Sequence, residues 1–159
     1  VGIDISERVI QKARSRAEEK GLRNVVFLKQ DASTLRENPR LVSAFDYVTA
    51  FDAIHDQTRP LDALKGIHAI LRQGGIFSMV DIAASSQLAG NRNHPMGMFL
   101  YTVSLMHCMP VGLVDGGTGL GMMWGRQKAV EMLREAGFKQ VEVKDIPDDP
   151  FNLHFFCRK

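Results

Sequence analysis

Two acids stand where a nucleoside could be held. Asp4, in Val1-Gly2-Ile3-Asp4-Ile5-Ser6, closes a short apolar run, and about 27 residues later Asp31 closes another, in Gln30-Asp31-Ala32. A carboxylate at the tip of a strand can accept two hydrogen bonds from a ribose diol, and a second one can accept from the exocyclic amine of adenine. One such acid alone reads equally well as a turn cap; the pair at this spacing favours a nucleoside. A third cluster, Asp52, His55 and Asp56, follows the apolar run 46–51. Asp81 ends a further run at 76–82, either as a residue that meets a substrate or as a capping acid.

These residues need elements to position them, and strand and helix periods alternate along the chain. Residues 1–5 read as a strand. Ser6 is a good N-cap, Glu7 suits the positive end of a helix, and Ile10, Ala13 and Ala17 share one face before Gly21 stops the helix. Residues 25–29 and 46–51 read as strands. A helix over 60–72 carries Leu61, Leu64, Ile67, His68 and Leu71 on its apolar side, and Gly74-Gly75 turns the chain into the strand 76–82. Residues 84–125 break the rhythm with a helix over 95–108 and six glycines between Gly112 and Gly125. A helix over 126–136, stopped by Gly137, and strands over 141–146 and 152–157 complete the chain. The last two strands are too close in sequence for a parallel crossover, so they form an antiparallel hairpin.

This order predicts one Rossmann-like α/β domain over 1–159, with a mostly parallel sheet, helices on both faces and a C-terminal antiparallel hairpin. Ligands of such sheets bind beyond the carboxyl ends of the strands, where Asp4, Asp31 and the cluster 51–56 fall. A net charge of +2 with no run of five basic residues gives no argument for a nucleic-acid partner. No apolar run reaches the roughly 18 residues that span a bilayer, and no leader pattern is present, so the expectation is no membrane and a cytoplasmic location. Cys108 and Cys157 form no CxxC pair, and His94 and His107 sit in no HExxH, so no metal is expected.

The segments VGIDIS, QDA, FDYVTAFDAIHD, LRQGGIFSMVDI and EAGFKQVEVKDI, in that order, resemble successive motifs of the class I S-adenosylmethionine-dependent methyltransferase family. The resemblance implies S-adenosylmethionine as cofactor and a small-molecule acceptor. It implies that Asp4 binds the cofactor ribose, Ile5 packs on the adenine, Asp31 and Ala32 meet the adenine edge, and Phe51 lines the pocket. His55-Asp56 is similar to the His-Asp of small-molecule O-methyltransferases, whose histidine is the base, although Gln57 stands where those enzymes carry an aromatic residue. Removing an acceptor hydroxyl's proton suits a group of near-neutral pKa.

The chain opens at Val1 inside a strand, and the family's first strand and glycine-rich turn would precede it. That strand would lie between 1–5 and 46–51, so this polypeptide alone is expected to be a partial domain that binds the cofactor weakly or not at all and is inactive. Gly117-Thr118-Gly119-Leu120-Gly121 could stand in for that turn only in a permuted chain. Pro110 and Gly112 before it, and Met122 to Gly125 after it, argue instead for an insert or lid over 84–125. The methionines at 96, 98, 106, 109, 122 and 123, with His94, His107 and Trp124, could line a site for a flat apolar acceptor. Two other functions fit parts of this pattern. One is a nucleotide-dependent oxidoreductase using NAD; the other is a methyltransferase-like interaction module without catalysis.

Overall fold

In the computed structural model, which describes residues 1–159, β1 (Gly2–Asp4) lies parallel to β2 (Phe27–Lys29), with Asp4 opposite Lys29. Helix α1 (Glu7–Glu19) joins them. Its N-cap is Ser6, whose hydroxyl accepts from the Val9 amide at 3.4 Å, and it buries Ile10 and Ala17. After β2 the chain makes a 3₁₀ turn over Ala32–Glu37. Strand β2 is two residues shorter than the predicted 25–29, because Val25 and Val26 lie before the ladder and stay exposed.

Four strands form the second sheet, in the order β3 (Phe45–Phe51), β4 (Leu71–Ile82), β6 (Asp149–Arg158) and β5 (Gln140–Ile146). β3 and β4 are parallel, whereas β6 pairs antiparallel with both β4 and β5. The predicted hairpin is present, and its second strand is inserted beside β4. β4 also begins earlier than predicted. Helix α2 (Pro60–Ile70) stops at Ile70, and Leu71 already pairs with Phe45. The ladder then breaks around Gly74, whose positive φ of 79° lets the chain bulge before Ile76 meets Tyr47.

No strand joins the two sheets. β1 and β3 each have one hydrogen-bonded neighbour, and Ile3, Ile5, Tyr47 and Phe51 are exposed beside these edges. The core lies elsewhere. Phe77, Met79 and Phe155 from the sheet pack with Leu64 of α2, Leu133 of α5 (Gly125–Glu135) and Phe138. Phe138 stacks on Phe77 with centroids 5.6 Å apart and meets His68 in a T-shaped contact at 5.1 Å. Gly66 lets α2 sit directly on the 3₁₀ turn, since a Cβ there would come within 2.9 Å of the Ala32 carbonyl oxygen.

The segment between β4 and α5 is more helical than predicted. α3 (Gly97–Val103), a π-helical stretch (Ser104–Cys108) and α4 (Met109–Gly112) run on with helical backbone at both junctions. The wide turn comes just before Pro110, which has no N–H to give and whose ring crowds the carbonyl of the preceding turn. The glycine run therefore follows a helix, not a strand, and does not reproduce a strand–glycine–helix turn. It folds back instead, with the Thr118 amide donating to the Thr58 carbonyl at 2.9 Å.

Candidate active site

The carboxyl ends of β1 and β2 bring the two predicted nucleoside acids to one rim, because the strands are parallel neighbours and the Gln30 amide donates to the Asp4 carbonyl at 3.0 Å. One oxygen of Asp4, Oδ1, accepts from the Ser6 amide at 2.7 Å, which fixes the side chain at the start of α1. Ile5 beside it is 67% exposed. Asp31 is more heavily committed. Its Oδ1 accepts from the Ser33 amide at 2.8 Å and hydroxyl at 2.7 Å, capping the 3₁₀ turn, and its Oδ2 lies 3.5 Å from Arg59. Burial acts to raise the Asp31 pKa, but the Ser33 bonds and the Arg59 guanidinium outweigh it and hold the carboxyl below its ordinary range. Ala32 starts the turn under Gly66. Phe51 ends β3 and is 62% exposed.

His55 lies in the loop after β3 and is only 2% exposed. Its Nδ1 is 2.8 Å from Asp81 Oδ1, and that oxygen also accepts from Trp124 Nε1 at 3.0 Å and from the Ile82 amide at 2.9 Å. A carboxylate accepts only, so Nδ1 carries the proton and the lone pair of a neutral ring resides on Nε2. Nε2 faces Asp56 Oδ1 at 3.5 Å. Burial is the largest influence on the imidazole and lowers its pKa. The Asp81 bond, with the charges of Asp81, Asp56 and Asp52, overrides it and leaves the pKa above the ordinary value. Asp52 is raised by its partial burial and by the neighbouring Asp81.

Cys108, at the end of the π-helical stretch, completes the group. Its thiol is buried, and burial together with Asp56 pushes its pKa up to about 11. Trp124 is held by the junction between β4 and α5. Ser86 Oγ donates to the Trp124 carbonyl at 2.7 Å, the Arg126 amide donates to the Ala84 carbonyl at 2.8 Å, and Gly125 adopts a φ of 77° against the Ser85–Ser86 backbone.

His55 and Asp56 stand out in the sequence, whereas Asp81 reads there either as a residue that meets a substrate or as a capping acid, and nothing local draws Trp124 or Cys108 into the group. Their only sequence signal was position, Asp81 at a strand end and the other two inside the insert. The insert does not make a single methionine-lined chamber. Met98 and Met106 are largely exposed, whereas Met123 is buried. An open groove of about 570 Å³ is lined by Asn91, Arg92, His94, Met98 and Tyr101, among others, and neither His55 nor His107 lines it.

Comparison with known proteins decides the family. A family model described as a methyltransferase domain matches residues 1–137. The chain belongs to this methyltransferase family. It is 27% identical over 162 residues to the erythromycin 3''-O-methyltransferase of Saccharopolyspora erythraea, a match covering all of this chain and 49% of that protein. It is 28% identical over 153 residues to the demethylmenaquinone methyltransferase of Geobacillus kaustophilus, covering 90% of this chain and 61% of the relative. The methyltransferase chain thus spans between about half and three-fifths of the length of these relatives. Among solved structures, PigF with SAH superposes with a TM-score of 0.69 at 18% identity, over 99% of this chain and 42% of that one, which shows a shared fold. The expected class I methyltransferase fold is borne out, and S-adenosylmethionine is the cofactor of the family. Nothing in these matches supports an NAD-dependent oxidoreductase. No helix is long and apolar enough to cross a membrane.

Proposed function

We propose that the protein carrying this chain transfers a methyl group from S-adenosylmethionine to a small-molecule oxygen acceptor, with His55 as the general base. The observation that carries this reading is the buried His55–Asp81 pair, 2.8 Å apart, in the segments that leave the parallel neighbours β3 and β4. The relatives named for O-methylation and for demethylmenaquinone methylation support a small-molecule acceptor.

In this reading the free oxygen of Asp4 and its neighbour Ile5 hold the ribose and one face of the adenine. Asp31 and Ala32 meet the adenine edge, and Phe51 lines the pocket. Asp31 must share its outer oxygen between Arg59 and the base, so Arg59 shifts when the nucleoside enters. Methyl transfer is an in-line displacement from a sulfonium, and much of its rate comes from holding the two reactants in line. S-adenosylmethionine would supply the methyl group as an electrophile at its sulfonium, and His55 Nε2 would take the proton of the acceptor hydroxyl as that oxygen is methylated. Asp81 holds the ring so that Nε2 is the accepting atom and stabilises the imidazolium that forms.

The test is His55→Ala in the full-length enzyme. Turnover should fall about 10²-fold or more while affinity for S-adenosylhomocysteine is retained. An unchanged rate removes His55 from the mechanism. Thermal shift of the same enzyme should respond to S-adenosylhomocysteine and not to NADH; a response to NADH alone would overturn the cofactor assignment.

A further inference from the structure

Asp56 Oδ1 is buried and has no hydrogen-bond partner. A buried carboxylate oxygen left without a partner is costly, so its surroundings call for an account. It lies in a group of three different donors: His55 Nε2 at 3.5 Å, and Cys108 Sγ, all within 4.8 Å of one another. His55 and Cys108 are each 2% exposed, and they come from separate parts of the chain, the loop after β3 and the π-helical stretch. We propose that His55 Nε2, Asp56 Oδ1 and Cys108 Sγ form a binding site for a zinc-type divalent cation, which nothing in the spacing of these residues announces.

The geometry suits such an ion. With bonds of about 2.0–2.2 Å from nitrogen and oxygen at tetrahedral angles, two ligand atoms stand about 3.4 Å apart. The imidazole nitrogen and the Asp56 oxygen are 3.5 Å apart. A mixed nitrogen, oxygen and sulfur set selects a borderline cation of the zinc kind over magnesium or calcium, which take oxygen alone. The back of the imidazole is arranged as metal-bound histidines are, with Nδ1–H donating to a carboxylate that is itself fixed by Trp124 and the Ile82 amide. Asp52, His55 and Asp81 form a second group of close ligand atoms. Metal on Nδ1 would displace the Asp81 bond, so the Nε2 side is the favoured one. Binding replaces the thiol proton, which leaves to solvent, and three protein ligands leave a fourth position open.

This site stands on geometry alone and uses the nitrogen that the proposed base also needs, so a loaded protein should be inactive if that base assignment holds. The experiment measures binding, not turnover. The full-length enzyme is stripped with a chelator and titrated with Co²⁺ and with Zn²⁺ in competition with a chromophoric indicator. One equivalent should bind, with a thiolate-to-cobalt charge-transfer band in the near ultraviolet. Cys108→Ala should abolish the band, and Asp56→Asn should weaken binding at least tenfold. Asp81→Asn should weaken it by 10–100-fold, because the carboxylate that makes the imidazole a stronger ligand becomes a neutral amide. Failure of Co²⁺ to bind the unmodified enzyme, or binding without the thiolate band, overturns the proposal whatever the variants do. His55→Ala that lost turnover but kept full cobalt affinity would overturn the metal site and leave the base reading standing.

Discussion

Asp81 joins three elements through one oxygen, and its replacement gives a quantitative check. Asp81 Oδ1 accepts from His55 Nδ1, Trp124 Nε1 and the Ile82 amide, and the side chain is fully buried. Asp81→Ala leaves all three donors without an acceptor. At about 1 kcal/mol net for each bond the loss is about 3 kcal/mol, within the range of about 3–5 kcal/mol seen when one member of a buried ion pair is removed. Asp81→Asn keeps an acceptor in the same place. Its amide nitrogen falls at Oδ2, which has no partner, so the cost is a single unmet group, about 1–2 kcal/mol.

The pH dependence has a definite sign. The folded-state pKa of His55 is raised, with burial opposing and Asp81 the leading cause of the increase. That contribution to stability is fully present below the unfolded value of about 6.5 and is lost as pH rises through the folded value. The parent chain should therefore lose stability from pH 6 toward pH 9, and Asp81→Asn should lose most of that slope. Urea unfolding at several pH values, with the m-value checked for constancy, measures both effects. The reasoning is refuted if the alanine variant unfolds within 0.5 kcal/mol of the parent (about the spread of ordinary surface changes), or if asparagine leaves the slope intact.

Gly125→Ala should cost more than about 2 kcal/mol, because the residue needs a positive φ and its Cβ would be driven into the Ser85–Ser86 backbone. Trp124 fluorescence should change with it, since Gly125 fixes the junction that aims the indole at Asp81. Asp4→Ala in the full-length enzyme should weaken S-adenosylhomocysteine at least tenfold in a calorimetric titration, whereas its structural bond to the Ser6 amide accounts for only about 1 kcal/mol. Burial pushes the pKa of Cys157 to about 12 and that of Cys108, helped by Asp56, to about 11. Neither thiol should react with a disulfide reagent at pH 8 until the chain unfolds, and both should then react together.

Much of this protein was legible in local patterns. The period of apolar residues and the caps at Ser6 and Gly21 located α1, and the short spacing of the last two strands required a hairpin. The acids at 4 and 31 fell on one rim because consecutive parallel strands end on the same side of a sheet. These features depend on nearest neighbours, which a sequence displays directly. Strand length was less legible. β4 begins at Leu71 because Phe45 lies across from it, and a partner in the sheet outweighs the helical period that Leu71 continues.

The site itself was decided by the tertiary structure. His55, Asp81 and Trp124 are separated by 26 and 43 residues, and nothing local distinguishes Asp81 from a capping acid. It becomes the centre of the site only when β3 and β4 align and Gly125 turns Trp124 inward. Cys108 reaches Asp56 through a widened helical turn ahead of Pro110, where the chain lacks an amide hydrogen to close a regular one. Sequence fixes the chemistry each side chain can perform, but its protonation and partners follow from which distant groups share its low-dielectric surroundings.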